Sequence, residues 1–62
     1  MRLYISTMDA ALVDYEPAGR VKLDGEEWTV PNLQERRAII HAAQTEIEWL
    51  QDLVLALEKS SG

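Results

Sequence analysis

The chain has 62 residues, no cysteine, and 11 acidic against 6 basic side chains, for a net charge of −5. A single domain this short buries only about 60% of the surface it exposes when unfolded, so its core is marginal without a second chain, and without cysteine no disulfide can help. The acidic balance disfavours direct binding to a nucleic-acid backbone, where Lys and Arg supply the affinity, and suits solubility or a basic partner.

Residues Met1 to Ile5 lack the apolar run and small-residue cleavage site of a signal peptide. No stretch approaches the ~20 apolar residues of a membrane span, so a cytosolic setting is expected. Leu3 and Ile5 alternate with Arg2 and Tyr4, which reads as a short strand over residues 2–5. Ser6 followed by Asp9 resembles a helix-start box, and Met8, Ala11, Leu12 and Tyr15 recur at i, i+3, i+4 and i+7. The spacing predicts a short helix over residues 7–15, with residues 2–5 either extended or joined to it, stopped by Pro17 and Gly19.

A β-hairpin is expected over residues 19–30. Asp24-Gly25 reads as a two-residue type I′ turn, with Gly25 supplying positive φ. That turn sets Leu23 opposite Glu26, Lys22 opposite Glu27 and Val21 opposite Trp28. Val21, Leu23, Trp28 and Val30 then face the core, while Arg20, Lys22, Glu27 and Thr29 face solvent. Pro31 ends the strand, Asn32 is a good N-cap, and Glu35 can complete a reciprocal capping box. The helix from Leu33 meets no Gly or Pro before Lys59, a span of roughly 40 Å. Ser60, Ser61 and Gly62 read as a frayed tail. The expected class is α+β, a single domain over residues 1–62.

The long helix carries too much apolar surface for one contact. At 100° per residue, Leu33, Ile39, Ile40, Ala42, Ala43, Ile47, Trp49, Leu50, Leu53, Val54, Ala56 and Leu57 cover about 220°, against roughly 100° for one buried face. His41, Thr45, Glu48 and Asp52 form the polar stripe. The arc divides into two rows. Leu33, Ile40, Ile47 and Val54 fill one heptad position and Ala43, Leu50 and Leu57 another, with Arg36 as the exception; Ile39, Ala42, Trp49, Leu53 and Ala56 form the second row. One row is expected to cover the hairpin and the other a partner, giving a homodimer or higher homo-oligomer. The interface set is Ile40, Ile47, Trp49, Leu50, Leu53, Val54 and Leu57, with Arg36 and Arg37 as the charged end. Trp49 is the expected anchor, because tryptophan is enriched in binding hot spots. Branched residues at one heptad position with leucine at the other favour a parallel pair. Arg36 and Arg37 at the start against Glu46, Glu48, Asp52 and Glu58 toward the end favour an antiparallel one, which is the expected orientation.

No residue set points to catalysis, a cofactor or a metal. His41 has Arg37 and Thr45 as its i±4 neighbours, so a helical two-ligand site is lacking. Glu48 and Asp52 lie one turn apart on the polar stripe, where nothing separates their proton affinities for acid–base work. Ser6 and Thr7 have no base partner. Gly19, Gly25 and Gly62 form no phosphate loop.

The order short helix, hairpin, longer helix, with Gly19-Arg20-Val21, Asp24-Gly25 followed by Trp28-Thr29, and Asn32-Leu33 opening a helix, resembles the W-type head-to-tail joining proteins of tailed phages. It covers roughly residues 8–45. The resemblance implies a subunit that fills the junction between phage portal and tail, has no enzyme activity, and resides in the host cytosol or the virion. A second function fits the composition: a small acidic inhibitor of a host nucleic-acid-binding complex, of the anti-CRISPR or anti-defence type, whose acidic stripe covers a basic groove. Steep weakening by salt would mark that function.

Overall fold

The computed structural model describes residues 2–60. Strands β1 (Leu3–Ile5), β2 (Ala10–Tyr15), β3 (Val21–Leu23) and β4 (Trp28–Thr29) precede one helix, α1 (Leu33–Ser60). The strands form an antiparallel meander in the order β1-β2-β3-β4, and α1 lies across one of its faces. The α+β class read from the sequence holds, with a sheet twice as wide as the expected hairpin.

The widening comes from the N-terminal segment, where the expected helix over residues 7–15 is absent. Leu3 and Ile5 do form a strand, and the chain then reverses through Ser6–Asp9 so that Leu3 pairs with Leu12, Tyr4 with Ala11 and Ile5 with Ala10. Met8 N donates to Ile5 O at 3.1 Å and Asp9 N to Ser6 O at 3.2 Å. Asp9 closes the reversal at φ 49°, a left-handed conformation that Asp tolerates better than most residues. Its carboxylate accepts a 2.6 Å hydrogen bond from the Tyr4 hydroxyl across the hairpin. Ser6 and Asp9 therefore build a turn, not a helix start.

The helical spacing of Met8, Ala11, Leu12 and Tyr15 was imitated by a strand containing a bulge. Leu12 pairs with Leu23, but Asp14 pairs with Lys22 and Tyr15 with Val21, so the register shifts between Leu12 and Asp14. The extra residue disrupts strict alternation, which is the sequence signal of a strand. Pro17 and Gly19, expected as helix stops, form the β2–β3 turn. Gly19 N donates to Glu16 O at 2.9 Å, and Arg20 grips the Glu16 carboxylate with Nε at 2.9 Å and Nη2 at 2.7 Å.

The second hairpin exists, one residue out of the expected register. Lys22 pairs with Trp28 and Val21 with Thr29. Glu26 N donates to Leu23 O at 3.0 Å, and Gly25 has φ 81° while Asp24 keeps negative φ. That is the type II combination; type I′ demands positive φ at both central residues. A one-residue slip transfers side chains to the other face. Trp28, expected in the core, thus shares the outer face with Lys22 and lies half-buried under the Arg20 guanidinium, 5.9 Å from the ring centroid. Val30, also expected inside, is exposed, and Pro31 is buried in its place.

The core is small. Ile5, Leu12, Val21 and Leu23 form the buried cluster, flanked by Leu3, Met8 and Ala10 from the sheet and Ala38, Ile39 and Ala42 from α1. The capping box forms as expected: Glu35 N donates to Asn32 Oδ1 at 2.8 Å and Asn32 N to Glu35 Oε1 at 2.9 Å. The helix ends one residue later than expected, with the Ser60 hydroxyl donating to Leu57 O at 3.1 Å. Ser61 and Gly62 of the expected tail lie outside the described residues.

Candidate interaction surface

No residue of α1 is buried. Ala38, Ile39, Ala42 and Ala43 are half-covered by the sheet, and every residue from 44 to 60 is exposed. The helix therefore splits lengthwise. Its first part roofs the core, and its second part, about 25 Å of rod, runs clear of the sheet. Sequence reasoning expected a split around the circumference, between two rows. Ile39 and Ala42 of the second row do meet the core, but Trp49, Leu53 and Ala56 of the same row have run past the sheet's edge.

All nine residues proposed from the sequence lie on α1 and are exposed: Ile40, Ile47, Trp49, Leu50, Leu53, Val54 and Leu57, with Arg36 and Arg37 near its start. The most covered of the seven apolar ones, Leu53, still keeps 40% of its surface, and Leu57 keeps 60%. All seven apolar ones lie on one helix, Ile40 on its first part near the two arginines and the other six on the second part. Sequence reasoning missed Leu55, which falls outside the 220° arc yet is exposed and lines a groove with Ile47, Leu50, Gln51 and Val54. Its signal was its place in the run Leu53-Val54-Leu55-Ala56-Leu57, unbroken by a polar residue.

Two more grooves flank the helix on the side of the Ile40–Ile47–Val54 row. One lies between Gly19, Val21 and Pro31 of the sheet layer and Arg36, Ile39 and Ile40 of the helix. The other lies between Arg2 and Leu3 and Ala43, Glu46, Ile47 and Leu50. Together the three grooves follow the row along most of α1.

The exposed area is large for the mass. The chain exposes 5052 Å², whereas a compact monomer of 7.0 kDa exposes about 4000 Å². Its radius of gyration is 14.2 Å, against about 10.5 Å for a compact domain of this length. The extents, 46 × 21 × 19 Å, show the cause to be the rod.

Charge is arranged along the same axis. Arg36 and Arg37 are exposed near the helix start, and Glu46, Glu48 and Asp52 are exposed on the free part, with Glu58 and Lys59 near its end. His41 is exposed and borders a shallow groove with Tyr4, Ser6, Thr7, Thr45 and Glu46. Two groups have displaced proton affinities. The hydrogen bond to Asp9, and then its charge, raise the Tyr4 phenol above its ordinary value, and the bidentate contact with Glu16 raises the Arg20 guanidinium. Tyr4 lies on β1 and Arg20 in the β2–β3 turn. Among the described residues there is no cluster of three or more His, Cys, Asp or Glu placed to hold a metal, and no helix is long and apolar enough to cross a membrane. No family model matches the chain, and neither the curated proteins nor the solved structures contain a match to it.

Proposed function

We propose that this chain is a non-enzymatic protein-interaction module that self-associates through the free part of α1. One observation carries the reading: every residue from 44 to 60 is exposed, yet Ile47, Trp49, Leu50, Leu53, Val54, Leu55 and Leu57 all lie there. Contiguous apolar surface of this extent on a water-soluble monomer is unfavourable and marks an interaction site. A self-associating module of this kind suits an assembly role, as a subunit of a phage portal–tail junction that meets a portal or tail protein.

Sedimentation of the purified protein at tens of micromolar tests the shared premise. A dimer or larger species is expected, and Leu50→Asp should shift it to monomer by forcing a charge into the contact. A wild-type monomer at that concentration would refute the reading.

The acidic inhibitor of a basic host protein remains the second reading, favoured by the exposed Glu46, Glu48 and Asp52 on the same stretch of helix. It predicts binding that weakens steeply between low and physiological salt. An assembly contact built on the apolar row would hold its affinity across the same range.

A further inference from the structure

We infer that two copies of the chain pair antiparallel along the row Ile40, Ala43, Ile47, Leu50, Val54 and Leu57, in a register that sets Ile40 against Leu57, Ala43 against Val54 and Ile47 against Leu50. The inference rests on the self-association proposed above and adds its orientation, its register and the residues it leaves free.

The first argument is area. The chain exposes about 1000 Å² more than a compact monomer of its mass would. One side of a standard stable interface buries about 800 Å². The excess therefore matches one copy's share of a single helix-length contact.

The second argument is shape. In an antiparallel pair the free half of each helix lies beside the sheet-covered half of the other. The two grooves beside the helix are lined mainly by apolar side chains: Val21, Pro31, Ile39 and Ile40 with Arg36 in one, and Leu3, Ala43, Ile47 and Leu50 with Arg2 and Glu46 in the other. In the stated register Leu57 of the second copy comes level with the first groove, and its Leu53 and Val54 with the second. A parallel pair would instead set Arg36 and Arg37 of the second copy beside the first groove. The small side chain of Ala43 admits the branched Val54 opposite it, as large-against-small layers do in antiparallel helix pairs.

The third argument is charge. On the flank of the row that faces away from the sheet lie Arg37, Gln44, Gln51 and Glu58. In that register Arg37 lies two residues, about 3 Å along the axis, from Glu58 of the other copy, and Gln44 lies the same distance from Gln51, each pair within side-chain reach and repeated by symmetry. A parallel pair lays the two acid-rich ends side by side and sets no opposite charges together. Isolated helices with branched residues at one heptad position lean parallel, but these helices are not isolated, and the grooves beside the sheet favour the reverse.

The register has a consequence for Trp49. Ala42, Trp49 and Ala56 lie on the row that points toward the sheet side, more than 90° from the centre of the pairing row by the 100° spacing. Trp49 therefore stays outside the helix pair and remains exposed in the dimer.

Because the native chain has no cysteine, thiol crosslinking reads the geometry directly. Full-length R37C and E58C chains of different mass are mixed and treated with a short bis-maleimide, with sedimentation run alongside. The 37–58 product between chains is expected to dominate, and W49A is expected to sediment as a dimer while L50D does not. A dimer that yields chiefly the 58–58 product, or no crosslink at all, overturns the orientation and register while leaving self-association standing. A monomeric W49A overturns the partition of the surface. A monomeric wild type overturns this inference and the proposed function together.

Discussion

The two parts of α1 are about equally rich in apolar residues and stand in opposite circumstances. Over residues 33–43 the helix has a sheet beneath it, and the side chains that meet the sheet are small or branched: Ala38, Ile39 and Ala42. Over residues 44–60 every residue is exposed, and the apolar side chains are larger: Trp49, Leu50, Leu53 and Leu57. Hydrophobicity alone therefore does not tell a core-facing stretch from a partner-facing one. Here side-chain size differs between the two stretches, with two alanines and Ile39 against the sheet and larger residues on the exposed part.

Mutation of each part should separate the two roles. Leu12→Ala removes one of four buried core residues and should cost about 2–5 kcal/mol. In a chain this small that loss is most of the total, so the variant should lose its cooperative thermal transition by circular dichroism at every protein concentration. Leu53→Ala on the free rod should behave differently. Its midpoint should fall at low protein concentration and recover as concentration rises, because the lost contact belongs to association. Equal, concentration-independent losses from both variants would erase the distinction between the halves.

Asn32→Ala should act on both halves through their shared start. The cap satisfies the Glu35 amide and receives the Glu35 carboxylate in return, and its loss should cost about 1 kcal/mol. Hydrogen exchange would place that effect in the first turns of α1, with little change in the sheet.

The smallest effect concerns pH. The Asp9 carboxylate raises the Tyr4 phenol above 10, because it accepts a hydrogen bond from the neutral form and repels the phenolate. A raised folded-state value means the contribution is present below the unfolded value, near 10, and is lost as pH rises through the folded one. Asp9→Asn should bring the Tyr4 titration down toward the ordinary value, seen as earlier phenolate absorbance. An unchanged titration would detach the hydrogen bond from the shift. Stability at neutral pH should barely move, since both groups are exposed.

The sequence disclosed the parts of this fold that are governed by local rules. The capping box of Asn32 and Glu35 depends on four consecutive residues, and the long helix on the absence of Gly and Pro between Leu33 and Ser60. What it concealed was set by pairing. Whether Ala10–Tyr15 is strand or helix depends on neighbours on both sides, and the shift between Leu12 and Asp14 hid the alternation that would have marked a strand. The Asp24-Gly25 pair located the hairpin but not its register, because Gly serves type I′ and type II turns alike. That single ambiguity moved Trp28 from the core to the outer face. The interaction surface was legible as surplus, since an arc of about 220° cannot be satisfied by one small sheet. Its division along the helix was not, because that depends on where the sheet ends.

Ala38 and Ala42 also act as the fulcrum of a lever. From Ala42 to Ser60 the rod reaches about 27 Å, so a tilt of about 10° at the sheet would carry its tip roughly 5 Å, close to one helical turn. A methylene or two added beneath the helix at Ala42 would be magnified at the far end into a sideways swing of the tip. The size of two small side chains facing the core thus sets the aim of a surface that neither of them touches.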